Sequence, residues 1–434
     1  MSRLLRYFTK SDFAKNVGVM FSGNAVAMVL PFILAPLISR IYQPEDFAGF
    51  ELFVRIMSLV AIVGSLRLDL AILLPKDNKE ALAIVRLSFK ILIGISILSG
   101  IIFIGFRNLA GEILRNEDLV ELLWFLPIGV FTLGALNIFN QYLIRIRDFK
   151  EASISKISAS AGNNVTKYLL GFSIPHASGL VIGQIFGSIL PLTVLLRKRK
   201  IRNMLKSIVR PITSDRKLIK KYRDFPVINS SHAFYQEGQQ TVLLALISAY
   251  HGELALGLFA FSMRYLRVPL VVFGTSISQV LNEKWARDIN DGRNIKSSVI
   301  RIMLLLAAIA IIPFTVLFFF GTPIFAFVFG DAWEGAGFYA EIMAPWLFLN
   351  FVVSPTTMLP ILMKKQLSFF RIALVSSAFT LSSVFLMSIY DFGFTEVLWV
   401  LSIVNVLILI YILLWIVNVA GKGRKSIELN DENE

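Results

Sequence analysis

Long apolar stretches alternate with short polar connections along the whole 434-residue chain. Each stretch holds roughly 20 residues, the length at which an α-helix crosses the hydrocarbon of a bilayer. Twelve are predicted, at residues 17–42, 47–74, 83–106, 119–145, 152–173, 176–196, 225–250, 254–282, 299–320, 335–363, 366–390 and 394–418. The expected fold class is therefore all-α, a polytopic membrane protein of twelve transmembrane helices. Residues 1–16 are basic, and the apolar stretch behind them outruns the core of a secretory signal. It is expected to stay as the first span.

Charge orients the spans. Of the 43 Lys and Arg, 34 fall in every second connection or at the chain ends, and only Arg40, Arg107 and Arg115 lie in the others. Basic loops stay in the cytoplasm, so both termini are expected there. The same asymmetry accounts for the net charge of +14 without any nucleic-acid partner. The one long connection, 197–223, carries twelve Lys and Arg and separates six spans from six.

The halves resemble each other at an offset of 209: Leu37-Ile38-Ser39 matches Leu246-Ile247-Ser248, and Arg55 coincides with Arg264. Six spans is an even number, so the halves share an orientation, and a parallel repeat is expected. The predicted organisation is a six-helix lobe (1–196), a basic linker (197–224) and a second six-helix lobe (225–434).

Polar residues inside the spans fall on stripes at helical spacing. Span two carries Glu51, Arg55, Ser58, Ser65 and Asp69, and span eight carries Arg264, Arg267, Thr275, Ser278 and Asn282. Span four has Asn137, Asn140 and Gln141, span five Lys156, Ser160, Asn163 and Lys167, and span seven Gln236 and Gln240 with Glu237 to the side. Such faces are untenable against lipid and are expected to look into a shared interior. Acidic partners are few there (Glu51, Asp69, Glu237 and Glu341), which favours an anionic substrate. Arg55, Lys167, Arg264 and Arg267 are the candidate anion contacts. Asn137, Asn140, Gln141, Gln236 and Gln240 are the candidate hydroxyl contacts. Asp69 and Glu237 are candidates for exchanging a coupling ion, H+ or Na+. Pro31 and Pro36 in one span suggest a bending gate. Arg67 points off the polar stripe and reads as structural.

The chain has no Cys and three widely spaced His, so no metal site or cofactor is expected. The outer connections are short and offer no domain for catalysis, so an enzyme such as a glycan polymerase is not expected.

Ser22-Gly23-Asn24, Leu37 to Tyr42, Ser65-Leu66-Arg67-Leu68-Asp69-Leu70-Ala71, Phe225-Pro226, Phe329-Gly330-Asp331-Ala332-Trp333 and Ser354-Pro355, in this order and spacing, give a resemblance over nearly the whole chain. It resembles the Wzx-type oligosaccharide-lipid flippases, the polysaccharide transporter branch of the multidrug/oligosaccharidyl-lipid/polysaccharide superfamily. The resemblance implies a MATE-like pair of six-helix lobes working by alternating access. It implies transfer of an undecaprenyl-diphosphate-linked oligosaccharide from the cytoplasmic to the periplasmic leaflet, for O-antigen or exopolysaccharide synthesis. Expected partners are that lipid-linked oligosaccharide, membrane lipids, a glycan polymerase and a chain-length regulator. The competing reading is a cation-coupled drug antiporter on the same fold, which would require an acidic interior.

Overall fold

A computed structural model describes residues 12–114, 116–197, 201–202 and 215–421. Most of the 197–224 linker lies outside the described residues. Every regular element among the described residues is helical. The principal helices are α1 (Asp12–Ser39), α2 (Pro44–Ser65), α3 (Asn78–Gly105), α4 (Leu126–Arg145), α5 (Phe149–Gly171) and α6 (Ala177–Leu196). They continue with α7 (Ser230–Asn290), α8 (Lys296–Phe329), α9 (Glu334–Val353), α10 (Gln366–Ile389) and α11 (Phe394–Gly421).

Ten stretches among the described residues are long and apolar enough to cross a membrane, which makes this a multi-pass membrane protein. Twelve were expected, and two features account for the difference. The stretch Phe225–Gly274 counts once, although Gly252 breaks α7 with φ 81° and ψ 179°. Helix α5 does not qualify, because Lys156, Asn163, Asn164, Lys167 and its serines make it too polar.

The chain divides into two compact units, Met1–Gly257 and Leu258–Glu434, so residues 230–257 of α7 belong with the first. In the first unit α5 lies between α1 and α6, α6 reaches α2 and α4, and α3 packs on α2 and α4. The α5–α6 crossing is made of glycine. A Cβ on Gly187 would sit 2.1 Å from the Asn163 backbone nitrogen, and one on Gly162 3.0 Å from the Gly187 carbonyl oxygen. Small residues let membrane helices approach this closely, replacing the hydrophobic drive that lipid does not supply. In the second unit α9 packs on α8 and α11, and α10 on α11. There the Trp333 ring stacks on Phe261 with centroids 3.7 Å apart.

Two breaks in the helices bear on the polar residues. Helix α2 stops at Ser65 because Leu66 (φ 48°) and Arg67 (φ 54°) are both left-handed, and a single turn, Leu68–Ala71, follows. Asp69 is therefore off the Glu51–Arg55 stripe. It accepts the Ser65 hydroxyl at 2.7 Å and steadies the break.

Helix α8 breaks at Phe320 (φ −131°) just before Pro323. The Thr322 N–H beside the break donates to Glu341 Oε1 at 2.7 Å. Glu341 thus satisfies a backbone group that the break releases. Glu341→Ala is expected to destabilise the protein by about 1–3 kcal/mol, the desolvation cost of an unpaired donor. Glu341→Gln, which keeps an acceptor, should recover most of it. Thermal unfolding of the purified protein checks both.

Basic residues of the connections also take part in the packing. Arg145, at the end of α4, donates to the carbonyl oxygens of Leu73 (3.2 Å) and Lys76 (3.3 Å) and to Asn78 Oδ1 (3.2 Å), clamping the turn before α3. After the short helix Asp215–Lys221, the Tyr222 hydroxyl donates to Glu80 Oε1 at 3.0 Å, and the Lys221 ammonium meets the same oxygen. That hydrogen bond holds the Lys221 pKa above the usual lysine range.

Candidate functional site

The clearest charge arrangement inside the first unit is the pair Arg55–Glu237. Arg55 lies midway along α2 and Glu237 two turns into α7, and the guanidinium Nη1 donates to Glu237 Oε1 at 3.0 Å. Their side chains are 27% and 24% exposed, so the pair is reachable rather than sealed in packing. Arg55 Nε is buried and has no hydrogen-bond partner. Gln236 is exposed beside Glu237, and Gln240 is half-buried one turn on. The Thr241 hydroxyl donates to the Glu237 carbonyl at 2.8 Å, holding this part of α7.

Span four contributes Asn137, exposed, with Asn140 and Gln141, both half-buried, on one face of α4. The Asn140 Oδ1 is buried without a partner.

Lys167 is in a different environment. It is 5% exposed, and its ammonium donates to Gln184 Oε1 at 2.6 Å and lies 4.4 Å over the Phe50 ring. Gln184, the single amide in an otherwise apolar and hydroxyl-bearing helix, escaped the sequence reading; that one amide is the signal that could have found it. The rest of the α5 stripe faces helices as well. Lys156 donates to Asn24 Oδ1 (2.8 Å), the Ser160 hydroxyl to the Ala27 carbonyl (2.7 Å), and Ser188 to Asn163 Oδ1 (3.3 Å). The polar face of α5 thus joins it to α1 and α6. Asp69, 3% exposed, is held by Ser65. Pro31 and Pro36 both lie within α1 and are half-buried.

In the second unit, Arg264 and Arg267 are half-buried on α7, and both are engaged by neighbouring groups. The Ser262 hydroxyl donates to the Ala336 carbonyl at 2.7 Å and Ser278 to the Pro355 carbonyl at 3.1 Å, tying this arm of α7 to the α9 region. The same arm lines an apolar cavity of about 390 Å³ with Leu266, Pro269, Phe273, Pro313, Phe314 and Phe351.

The fold is shared with known transporters. The chain is similar to a lipid II flippase, MurJ, in an inward closed conformation, at 15% identity and TM-score 0.70, covering 95% of this chain and 91% of that one. It is similar to an inward-facing multidrug resistance MATE transporter of the MOP superfamily, at 16% identity and TM-score 0.62 over 93% and 96% of the two chains. A MOP superfamily transporter from Pyrococcus furiosus, described by the reversed polarity of its binding pocket, matches at 15% identity and TM-score 0.55 over 96% and 97%. No curated protein matches in sequence. At these identities the likeness concerns the fold alone. Residues 37–337 match the model of the family described as polysaccharide biosynthesis protein, well over half of the chain, and the protein belongs to that family.

Proposed function

We propose that this protein flips an undecaprenyl-diphosphate-linked, anionic oligosaccharide from the cytoplasmic to the outer leaflet by alternating access. The family and the flippase and transporter folds it resembles support movement of a lipid-linked substrate. The observation that carries the finer reading is Arg55: a reachable guanidinium with unused donor capacity inside a membrane segment, in a chain of a polysaccharide family. Sugars and a diphosphate cannot cross hydrocarbon unaided, because each buried charge or unpaired hydroxyl costs several kcal/mol.

In this reading Arg55, Arg264 and Arg267 hold phosphate or acidic sugar. Asn137, Asn140, Gln141, Gln236 and Gln240 bond hydroxyls. Lys167, sequestered by Gln184 and Phe50, adds positive potential without touching the substrate. The apolar cavity beside Pro269 and Pro313 suits an isoprenoid segment. Pro31 and Pro36 bend α1 during gating. Asp69 and Glu237 remain the candidates for a coupling ion, with Asp69 the less accessible.

Proteoliposomes holding a fluorescent diphosphate-linked glycan test the reading. Transfer to the outer leaflet is expected, and export of cationic drugs by the same vesicles, with no glycan transfer, would replace it with the antiporter.

Orientation has its own test, helped by the absence of native Cys. Asn108→Cys, in the connection after α3, should react with a membrane-impermeant thiol reagent in intact cells. Asp291→Cys, in the turn between α7 and α8, should react only after permeabilisation. The reverse pattern would invert the topology.

A further inference from the structure

We propose that Glu237 is a resident stand-in for the substrate's anion: it occupies Arg55 in the empty carrier, yields it to phosphate on loading, and retakes it on release. The inference rests on the reading of Arg55 as an anion contact and adds a role for its partner.

The contact geometry supports it. Arg55 is held through one guanidinium nitrogen and one carboxylate oxygen, 3.0 Å apart, while its Nε is buried and bonds nothing. A guanidinium carries five N–H donors in a planar fork, and a two-oxygen match to that fork is the stronger arrangement. A phosphate with two free oxygens can take Nη1 and Nη2 together, the end of the fork that Glu237 meets at a single nitrogen. Glu237 therefore offers a weaker anion that a better one can displace.

Accessibility points the same way. The buried ionic groups that serve packing in this unit are closed off, with Lys167 at 5% exposure and Asp69 at 3%. Arg55 and Glu237 stay about a quarter exposed. Packing around this step of α7 is loose: a Cβ added to the adjacent Gly238 would meet, outside its own helix, only the Leu59 side chain, at 4.0 Å.

The physical advantage lies in release. A cation left bare in a membrane segment is costly and would grip a diphosphate too tightly to let go. A tethered carboxylate lowers both the cost of the empty state and the affinity for the substrate. Conduction through any such site needs binding firm enough to load and loose enough to leave.

The test uses the purified full chain in nanodiscs, with inorganic pyrophosphate as the probe, calorimetry for binding, and flipping of a fluorescent diphosphate-linked glycan. Glu237→Gln keeps the shape and an oxygen acceptor for Arg55 but removes the charge. It is expected to bind pyrophosphate roughly tenfold more tightly, a shift that lies between one charge interaction in bulk water and one near a protein surface, and to turn over more slowly. Glu237→Asp, with a retracted carboxylate, should fall between. Arg55→Ala combined with Glu237→Gln should lose the gain. A folded Glu237→Gln whose affinity is unchanged or weaker overturns the proposal, and so does the same result in Glu237→Asp if Glu237→Gln does not fold. If Arg55→Ala leaves pyrophosphate binding at the wild-type level, the anion-contact reading itself fails, a result separable from the first.

Discussion

Arg55→Ala, tested with Glu237→Gln in the same chain so that no carboxylate is left bare, is expected to cut flipping per folded molecule by roughly 10- to 100-fold. Losing one charge-assisted, hydrogen-bonded contact to a desolvated anion costs about 2–5 kcal/mol, the upper part of which is the penalty on the stranded partner. Removing Glu237's charge separates that penalty from the loss of substrate contact, because Arg55→Ala alone also leaves Glu237 without its 3.0 Å partner. Arg264→Ala, in the second unit, should also reduce flipping per folded molecule. Arg55→Lys discriminates the mode of contact: it keeps the charge but not the fork, so little recovery means that two-point phosphate binding dominates. Arg67→Ala is the contrast. Arg67 sits in the left-handed break after α2, and its loss should change abundance more than flipping per molecule. Normal flipping by an Arg55→Ala, Arg264→Ala double variant would show both cations to be structural.

Gly187→Ala should have the largest effect on folding. Its new methyl would lie 2.1 Å from the backbone nitrogen of Asn163 and 2.3 Å from its Cα, where only a shift of the whole helix makes room. Overpacking of a flexible side chain costs about 1–3 kcal/mol, and a clash with backbone exceeds that range. Helix α5 would lose its seat against α6, and with it the Ser188–Asn163 and Lys167–Gln184 bonds that satisfy polar groups in the membrane. The measurement is the monodisperse fraction after detergent extraction and its unfolding temperature. Gly94→Ala is the control, since nothing lies within 4 Å of the Cβ it would gain. Equal yields for the two variants would refute the tight crossing.

The amino-acid sequence by itself determined the class of this protein. Runs of roughly 20 apolar residues leave the backbone no option in lipid but helix, and polar residues kept inside those runs mark a site because lipid makes them costly. The motifs from Ser22 to Pro355 carried the resemblance that the family match over residues 37–337 bears out.

What the sequence pattern could not decide was which polar groups satisfy one another. Helical periodicity places Arg55 and Asp69 on one stripe, but it assumes an unbroken helix, and Leu66 and Arg67 turn left-handed between them. The stripe on α5 is real as a pattern, yet α1 and α6 cover it, because Gly162, Gly183 and Gly187 bring α6 close enough for Gln184 to reach Lys167. Glu341, counted from the sequence among the interior acids, instead accepts the Thr322 N–H that the break at Phe320 releases. Glu237 lay off the polar face of its own helix, and only the approach of α2 put Arg55 within reach of it. In the last three cases the deciding quantity is a distance between separate segments of the chain. Local periodicity carries no information about such distances; packing sets them.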